Sequence, residues 1–267
     1  MNKIIVIGGG PAGMFAAIAA AESGSQVTLL EKNEKLGKKL FITGKGRCNI
    51  TNAGDMDNLF ANVMTNAKFL YSAFYAYDNE QVIDFFERNG LRTKKERGNR
   101  VFPVSDHSSD VIATLQKVLR EKKVKVMLHT QVNRLLVETS VGDESKSIVT
   151  GVQLTDGTSM QADAVIVATG GFSYQTTGST GDGYRFAKEV GHTVTDIRPS
   201  LVPFLAKEDY VRQMQGLSLK NVEVRILNGK KLLYQEFGEM LFTHFGVSGP
   251  LLLSASAAIK PSLTAGE

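Results

Sequence analysis

Three glycines and one acid carry the clearest chemistry in this chain. Gly8-x-Gly10-x-x-Gly13 follows an apolar run at 4–7 and opens an alanine-rich stretch at 16–21. A second apolar run, at 27–30, ends at Glu31. That is close to the spacing of about 20 residues at which an acid meets the ribose of a dinucleotide. Each position has a mechanical reason. Gly8 permits a tight turn, Gly10 lets a pyrophosphate approach the backbone, and Gly13 lets helix and strand pack closely. The helix N-terminus supplies free N–H donors and a partial positive charge. A carboxylate at Glu31 can accept both ribose hydroxyls and repels a 2′-phosphate. Strand, glycines, helix, strand and acid in that order predict a dinucleotide site.

The elements that must position these residues are legible around them. The apolar runs read as buried parallel strands, and the alanine-rich stretch has high helix propensity. Asp78 predicts a capped helix over 79–89, with Gln81 completing a capping box and Gly90 as the stop. Ser108 or Ser109 opens another helix, in which Val111, Leu115, Val118 and Leu119 recur at helical spacing. Residues 124–128 read as a further parallel strand. Three short antiparallel strands are expected over 132–138, 147–154 and 158–162, the last pair joined at Asp156-Gly157. An apolar strand at 164–168 ends in Thr169-Gly170-Gly171, and a second glycine-rich stretch at 178–183 leads into a helix over 184–190. From about Thr193 the chain turns β-rich, with a hairpin signal at Asn228-Gly229, and an apolar helix from Pro250 trails into a loop. A domain boundary is expected near residue 195, separating 1–194 from 195–267.

Charge and composition set limits. The formal net charge of +4 is small and dispersed, and its densest basic cluster is Lys94, Lys95, Arg97 and Arg100. No stacked-aromatic pattern accompanies that cluster. It reads first as a solvated loop and second as a site for an anionic group, so no nucleic-acid partner is expected. The N-terminal segment imitates a secretory signal, but three consecutive glycines and Pro11 interrupt it. No uninterrupted apolar run is long enough to cross a bilayer. A single cysteine excludes an intrachain disulfide framework, and the expected location is cytoplasmic.

The βαβ unit, the antiparallel meander and the strand ending in Ala168-Thr169-Gly170-Gly171 resemble two-dinucleotide-fold flavoproteins such as glutathione reductase. Further blocks narrow the resemblance. They are Leu36-Gly37-Lys38-Lys39-Leu40, Thr43-Gly44-Lys45-Gly46-Arg47-Cys48-Asn49-Ile50-Thr51-Asn52, Arg100-Val101-Phe102-Pro103-Val104, Gly178-Ser179-Thr180-Gly181, and the run from Leu241 to Pro250. Together they resemble the flavoprotein family containing bacterial aminoacetone oxidase and the BaiN bile-acid reductase. The resemblance implies an α/β, Rossmann-like FAD domain with a parallel sheet and a meander, plus part of a β-barrel second domain bearing on substrate. It implies FAD as cofactor, a small-molecule substrate, and NAD(P)H as at most a transient electron donor, since no second complete Gly-x-Gly-x-x-Gly exists. Where the family continues into a helical unit and a C-terminal return to the FAD domain, this chain ends. The resemblance therefore implies a truncated form, whose unfinished surfaces would favour self-association.

By resemblance, Gly8, Gly10, Pro11, Ala12 and Gly13 line the pyrophosphate, and Glu31 with Lys32 holds the adenosine ribose. Lys39 and Arg47 are charge partners for phosphate oxygens, a guanidinium being able to grip two at once. Thr43 and Gly44 belong to a turn that runs beside the flavin in the family, and Val132 is a position for backbone contact with adenine. Thr169 and Gly170 end a parallel strand, where α/β folds place ligands. Cys48 reads as a small buried thiol. The four histidines lack metal spacing, so no metal is expected, and no catalytic residue is assigned. Two other readings compete with an FAD-dependent oxidoreductase: a non-catalytic nucleotide-binding fragment that keeps the adenosine half-site, and a direct NAD-linked dehydrogenase.

Overall fold

The computed structural model describes residues 1–140 and 143–259; the loop expected at the C-terminal end, 260–267, lies outside them. The chain divides into two compact units. One comprises Met1–Phe60 and Lys68–Val194; the other comprises Ala61–Ala67 and the chain from Thr195.

The first unit opens with β1 (Lys3–Ile7), α1 (Pro11–Glu22), β2 (Gln26–Leu30) and α2 (Lys38–Ile42). Next come β3 (Thr51–Asn52), α3 (Met56–Ala61), α4 (Tyr71–Ala76) and α5 (Asn79–Arg88). The hairpin of β4 (Thr93–Glu96) and β5 (Arg100–Pro103) precedes α6 (Ser108–Glu121) and β6 (Lys125–Met127). The meander is β7 (Val132–Ser140), β8 (Asp143–Leu154) and β9 (Ser159–Gln161), followed by β10 (Ala164–Val167) and α7 (Asp182–Glu189).

Four strands form a parallel sheet in the order β10-β1-β2-β6. The apolar runs fill it because side chains alternate between two buried faces. Val6 and Leu29 point into a core with Met14, Ile18, Phe86, Leu115 and Leu119 from α1, α5 and α6. Ile5, Ile7 and Leu30 point the other way, against Val132 and Val152 of the meander and Phe186 of α7. The capping box forms as expected: the Asp78 side chain accepts the Gln81 N–H at 2.8 Å and the Gln81 side chain accepts the Asp78 N–H at 2.8 Å.

The strand order explains where a ligand can enter. After β1 the chain moves to β2 on one side, and it returns much later as β10 on the other. Parallel sheets open a crevice at the carboxyl ends of strands where the order reverses in this way. The glycine turn after β1 and the Thr169-Gly170 turn after β10 are the two lips of that crevice.

The second unit contains β11 (Phe204–Leu205), α8 (Asp209–Gln213), β12 (Ser218–Asn228), β13 (Lys231–Phe242), β14 (Gly246–Ser248) and α9 (Pro250–Ala258). Its strands form an antiparallel sheet in the order β11-β14-β13-β12, open at both edges among the described residues rather than closed into a barrel. No described helix in either unit is long and apolar enough to cross a membrane.

Candidate functional site

The glycine turn is built by close approach. A Cβ on Gly8, whose φ is +107°, would fall 2.5 Å from the Ala168 carbonyl oxygen, so the turn passes directly over the end of β10. A Cβ on Gly13 would fall 1.8 Å from the Gly8 carbonyl oxygen; α1 rests against its own entry turn there. A Cβ on Gly10 would meet nothing within 4 Å. The middle glycine of the motif keeps space open rather than allowing contact. Gly10 is the N-cap of α1, with no side-chain cap, and Pro11 occupies the first turn. The leading N–H groups of the helix are therefore left for a ligand.

Glu31 closes β2 and is buried, 8% exposed. Its Oε2 accepts the Gly9 N–H at 2.7 Å, and its Oε1 accepts the Asn33 N–H at 2.8 Å and the Asn33 side-chain amide at 2.7 Å. A carboxylate offers about four lone-pair positions. With three engaged, a ribose would share Glu31 with Gly9 and Asn33 instead of having both oxygens to itself. The Asn33 amide also donates to the Thr177 carbonyl at 3.2 Å, tying this corner to the second glycine-rich stretch. Lys32 Nζ reaches the same stretch, at 2.6 Å from Thr180 Oγ1 and 2.7 Å from Asp182 Oδ2.

These residues enclose a cavity of about 560 Å³, within the range of small-molecule and cofactor sites. Gly8, Gly10, Pro11, Ala12, Glu31, Lys32, Lys39, Val132, Thr169 and Gly170 all line it. Lys39 is half-buried, its Nζ donates to Ser173 Oγ at 2.9 Å, and burial pulls its pKa down. Among the described residues no carboxylate lies within ion-pair distance of it. An uncompensated cation near an uncapped helix N-terminus favours an anion. The wall thus offers an acid for a ribose, an open backbone turn and a cation for a pyrophosphate, and buried Val132 at the apolar end. This donor set fits a dinucleotide.

Four of the residues expected at the site are not in its wall. Gly13 acts behind it, through the helix contact described above. Thr43, Gly44 and Arg47 are not among the residues that line the cavity. Arg47 Nε and Nη2 donate to Asp106 Oδ1 at 2.8 and 2.6 Å, its other N–H groups engage Glu96, and its guanidinium stacks 4.2 Å from the Phe102 ring centroid. Two carboxylates already occupy the fork expected to grip phosphate. Thr43 Oγ1 donates to the Leu40 carbonyl, and a Cβ on Gly44 would fall 3.3 Å from Phe102.

The turn at 43–48 is left-handed at Gly44 (φ +55°), Lys45 (+58°), Gly46 (+84°) and Cys48 (+59°). Cys48 is buried and burial pushes its thiol pKa up, the opposite of a reactive thiolate. Lysine at φ +58° carries a steric penalty that glycine does not, partly offset by the freedom glycine gains when unfolded. Lys45→Gly should stabilise the chain by about 0.5–1 kcal/mol, raising Tm by about 1–4 °C in calorimetry.

The cavity also contains residues to which sequence reasoning gave no role: Asn33, Lys38, Ser179, Asp182 and Tyr184. The glycine-rich stretch at 178–183 was the available signal. Gly178 lets its turn close over Asn33, since a Cβ there would fall 2.5 Å from the Asn33 amide nitrogen.

Comparison with known proteins places this architecture. The family model described as the HI0933-like protein Rossmann domain matches residues 2–258. A 3-dehydro-bile acid delta(4,6)-reductase of Clostridium scindens is 34% identical over all of this chain and 63% of its own length. A ribosomal RNA dihydrouridine synthase of Haemophilus influenzae is 31% identical over 98% of this chain and 62% of its own. The chain thus spans under two thirds of the length of either relative. Among solved structures, the 3-ketosteroid delta1-dehydrogenase of Sterolibacterium denitrificans shares the fold with a TM-score of 0.60 at 17% identity, over 83% of this chain and 62% of that one.

Proposed function

The chain belongs to the HI0933-like Rossmann-domain family, and on that premise we propose that it is an FAD-dependent oxidoreductase acting on a carbon–carbon double bond conjugated to a carbonyl. The observation that carries the cofactor is the single cavity joining the open Gly10 turn, the α1 N-terminus, Lys39 and Glu31. FAD, when bound, supplies two-electron hydride chemistry.

The residues of this chain do the holding. The α1 N-terminus and Lys39 take the pyrophosphate, and Gly10 leaves room for it. Glu31 takes an adenosine ribose hydroxyl while its other contacts keep the glycine turn in place. Lys32 and Asp182 close the adenosine end together, and Val132 supplies an apolar wall for adenine. Thr169 and Gly170 carry the opposite lip.

The substrate class rests on what two relatives have in common. One is named as a delta(4,6)-reductase and the other as a dihydrouridine synthase. Both names describe saturation of a double bond, in a keto-steroid ring system and in a uracil ring, and in both the bond is conjugated to a carbonyl. The second name also brings RNA into the range of substrates, so the expectation of no nucleic-acid partner is not kept. A reducing, cytoplasmic setting and NAD(P)H as transient donor complete the proposal.

The test is the visible spectrum of the purified chain, with flavin released by denaturation and quantified. Near-stoichiometric FAD is expected, and anaerobic NAD(P)H should bleach it until a conjugated enone is added. A colourless chain that takes up ADP as well as FAD would overturn the oxidoreductase reading in favour of a bare adenosine half-site.

A further inference from the structure

We infer that the β4–β5 hairpin is a docking surface for the phosphate backbone of RNA. The inference rests on the reading above, in which a uracil-type double bond is among the substrates. From Arg92 to Arg100 the sequence carries Arg92, Lys94, Lys95, Arg97 and Arg100 against Glu96 alone, a net +4 in nine residues that equals the formal charge of all 267. The rest of the chain is balanced, so the positive potential of the molecule concentrates on one hairpin.

The fold pairs Lys94 with Asp106 and Glu96, and Lys95 with Glu80 at 3.6 Å, and leaves the arginines of the hairpin, Arg92, Arg97 and Arg100, outside. Glu96 and Asp106 are both engaged by Arg47 and Lys94, with Lys94 Nζ 2.6 Å from Asp106 Oδ2. Lys94 and Arg47 hold the Asp106 carboxyl below its usual range, and Arg47 does the same for Glu96, so neither acid is free to repel a polyanion. Arg97 and Arg100 are exposed at the tip, and no carboxylate lies within ion-pair distance of either among the described residues. The tip is held by left-handed Gly98 (φ +75°) and Asn99 (+57°), and Arg100 Nε donates to the Arg97 carbonyl at 3.1 Å. Arg47 and Arg100 both lie over the Phe102 ring, at 4.2 and 5.8 Å from its centroid. Guanidinium planes held in this way can stack on unpaired bases.

Exposed Lys45 extends the face, because the neighbouring Gly44 abuts Phe102. Helix α2 joins this face to the cavity: Lys38 and Lys39 at its start line the cavity, and five residues later the chain is in the 43–46 turn. The tip, Arg97-Gly98-Asn99-Arg100, has no apolar side chain to enter a bilayer. Its exposed arginines stand at the two ends of a tip that Asn52 and Ala53 hold from behind, through the Gly98 carbonyl at 2.8 Å and the Asn99 carbonyl at 2.7 Å, a spread that suits an extended polyanion better than a small one.

The test is fluorescence anisotropy with a labelled uridine-containing RNA stem-loop, titrated across about 50–200 mM salt. Arg97→Ala/Arg100→Ala should weaken binding about tenfold and lower the slope of log K against log salt by about 1.4, or 0.7 per cation removed. Lys45→Gly should weaken binding while raising Tm, a combination that misfolding cannot produce. Lys230→Ala/Lys231→Ala should bind as the unaltered chain does. Failure of the unaltered chain to bind, equal loss in the control pair, or a preference for an acidic peptide or anionic vesicles over RNA would each overturn the inference. FAD content is measured on the same samples. RNA binding that depends on Arg97 and Arg100 in a chain holding no FAD would refute the proposed function and leave this surface standing.

Discussion

Gly13→Ala should destabilise the first unit by about 3 kcal/mol or more, while Gly10→Ala should leave it intact and weaken FAD binding about 100-fold. The two glycines are three residues apart in one motif, and the structure gives them opposite duties. At Gly13 the added methyl would sit 1.8 Å from the Gly8 carbonyl oxygen, a distance no packing tolerates. Both partners are backbone, in a turn fixed by β1 and β10, so α1 must lift off the sheet. Overpacking a core costs about 1–3 kcal/mol when side chains can yield; backbone against backbone belongs at or beyond the top of that range. For a unit of this size the drop in Tm should be about 6–12 °C.

At Gly10 the methyl meets nothing, and φ −76°, ψ 179° suits any residue. Tm should therefore hold within about 2 °C or rise slightly, because alanine loses less freedom than glycine on folding. The same methyl would occupy the space left for the pyrophosphate, and FAD affinity should fall by about 100-fold, or about 2.7 kcal/mol. Differential scanning fluorimetry and released-flavin quantification on the two variants check both statements. FAD retained by Gly10→Ala would mean that the pyrophosphate crosses elsewhere. An unchanged Tm in Gly13→Ala would mean that helix and turn are not in contact.

What could be read from the sequence follows the range of the interactions. The glycine turn, α1 and Glu31 lie within 31 residues, and each is fixed by propensity or backbone sterics that a local window contains. The Asp78–Gln81 capping box joins residues three positions apart and forms as its sequence predicts. Arg47 shows the limit. A guanidinium calls for a planar anion, but the sequence does not say which one, and Glu96 and Asp106, 49 and 59 residues away, reach it. Asn33 is illegible in a local window for the same reason: its amide donates to the Thr177 carbonyl, 144 residues on. At Asn228-Gly229 the hairpin was legible but its register was not. Asn228 pairs with Lys231, so the two-residue loop is Gly229-Lys230, with glycine at the left-handed first position. The choice is set by strand pairing along all of β12 and β13, which no dipeptide encodes.

Glu31→Gln should weaken FAD binding by about 1–3 kcal/mol, five- to 150-fold, and should lower the stability of the cofactor-free chain as well. The second effect follows from the donors around the side chain. Gly9 N–H aims at one carboxylate oxygen, and the Asn33 N–H and amide aim at the other. A glutamine of the same shape has one acceptor oxygen and one donor NH₂. If the oxygen serves Asn33, the NH₂ faces the Gly9 N–H, and a buried donor in the middle of the glycine turn is left without a partner. The reverse orientation orphans two donors, so the first is adopted and the turn loses its latch. FAD then meets both a missing ribose acceptor and a turn no longer held open. The apo protein should melt lower by an amount that saturating FAD does not restore. Unchanged FAD affinity with a lowered Tm would assign Glu31 to the turn alone and move the ribose away from β2. Unchanged values of both would contradict the hydrogen bonds themselves.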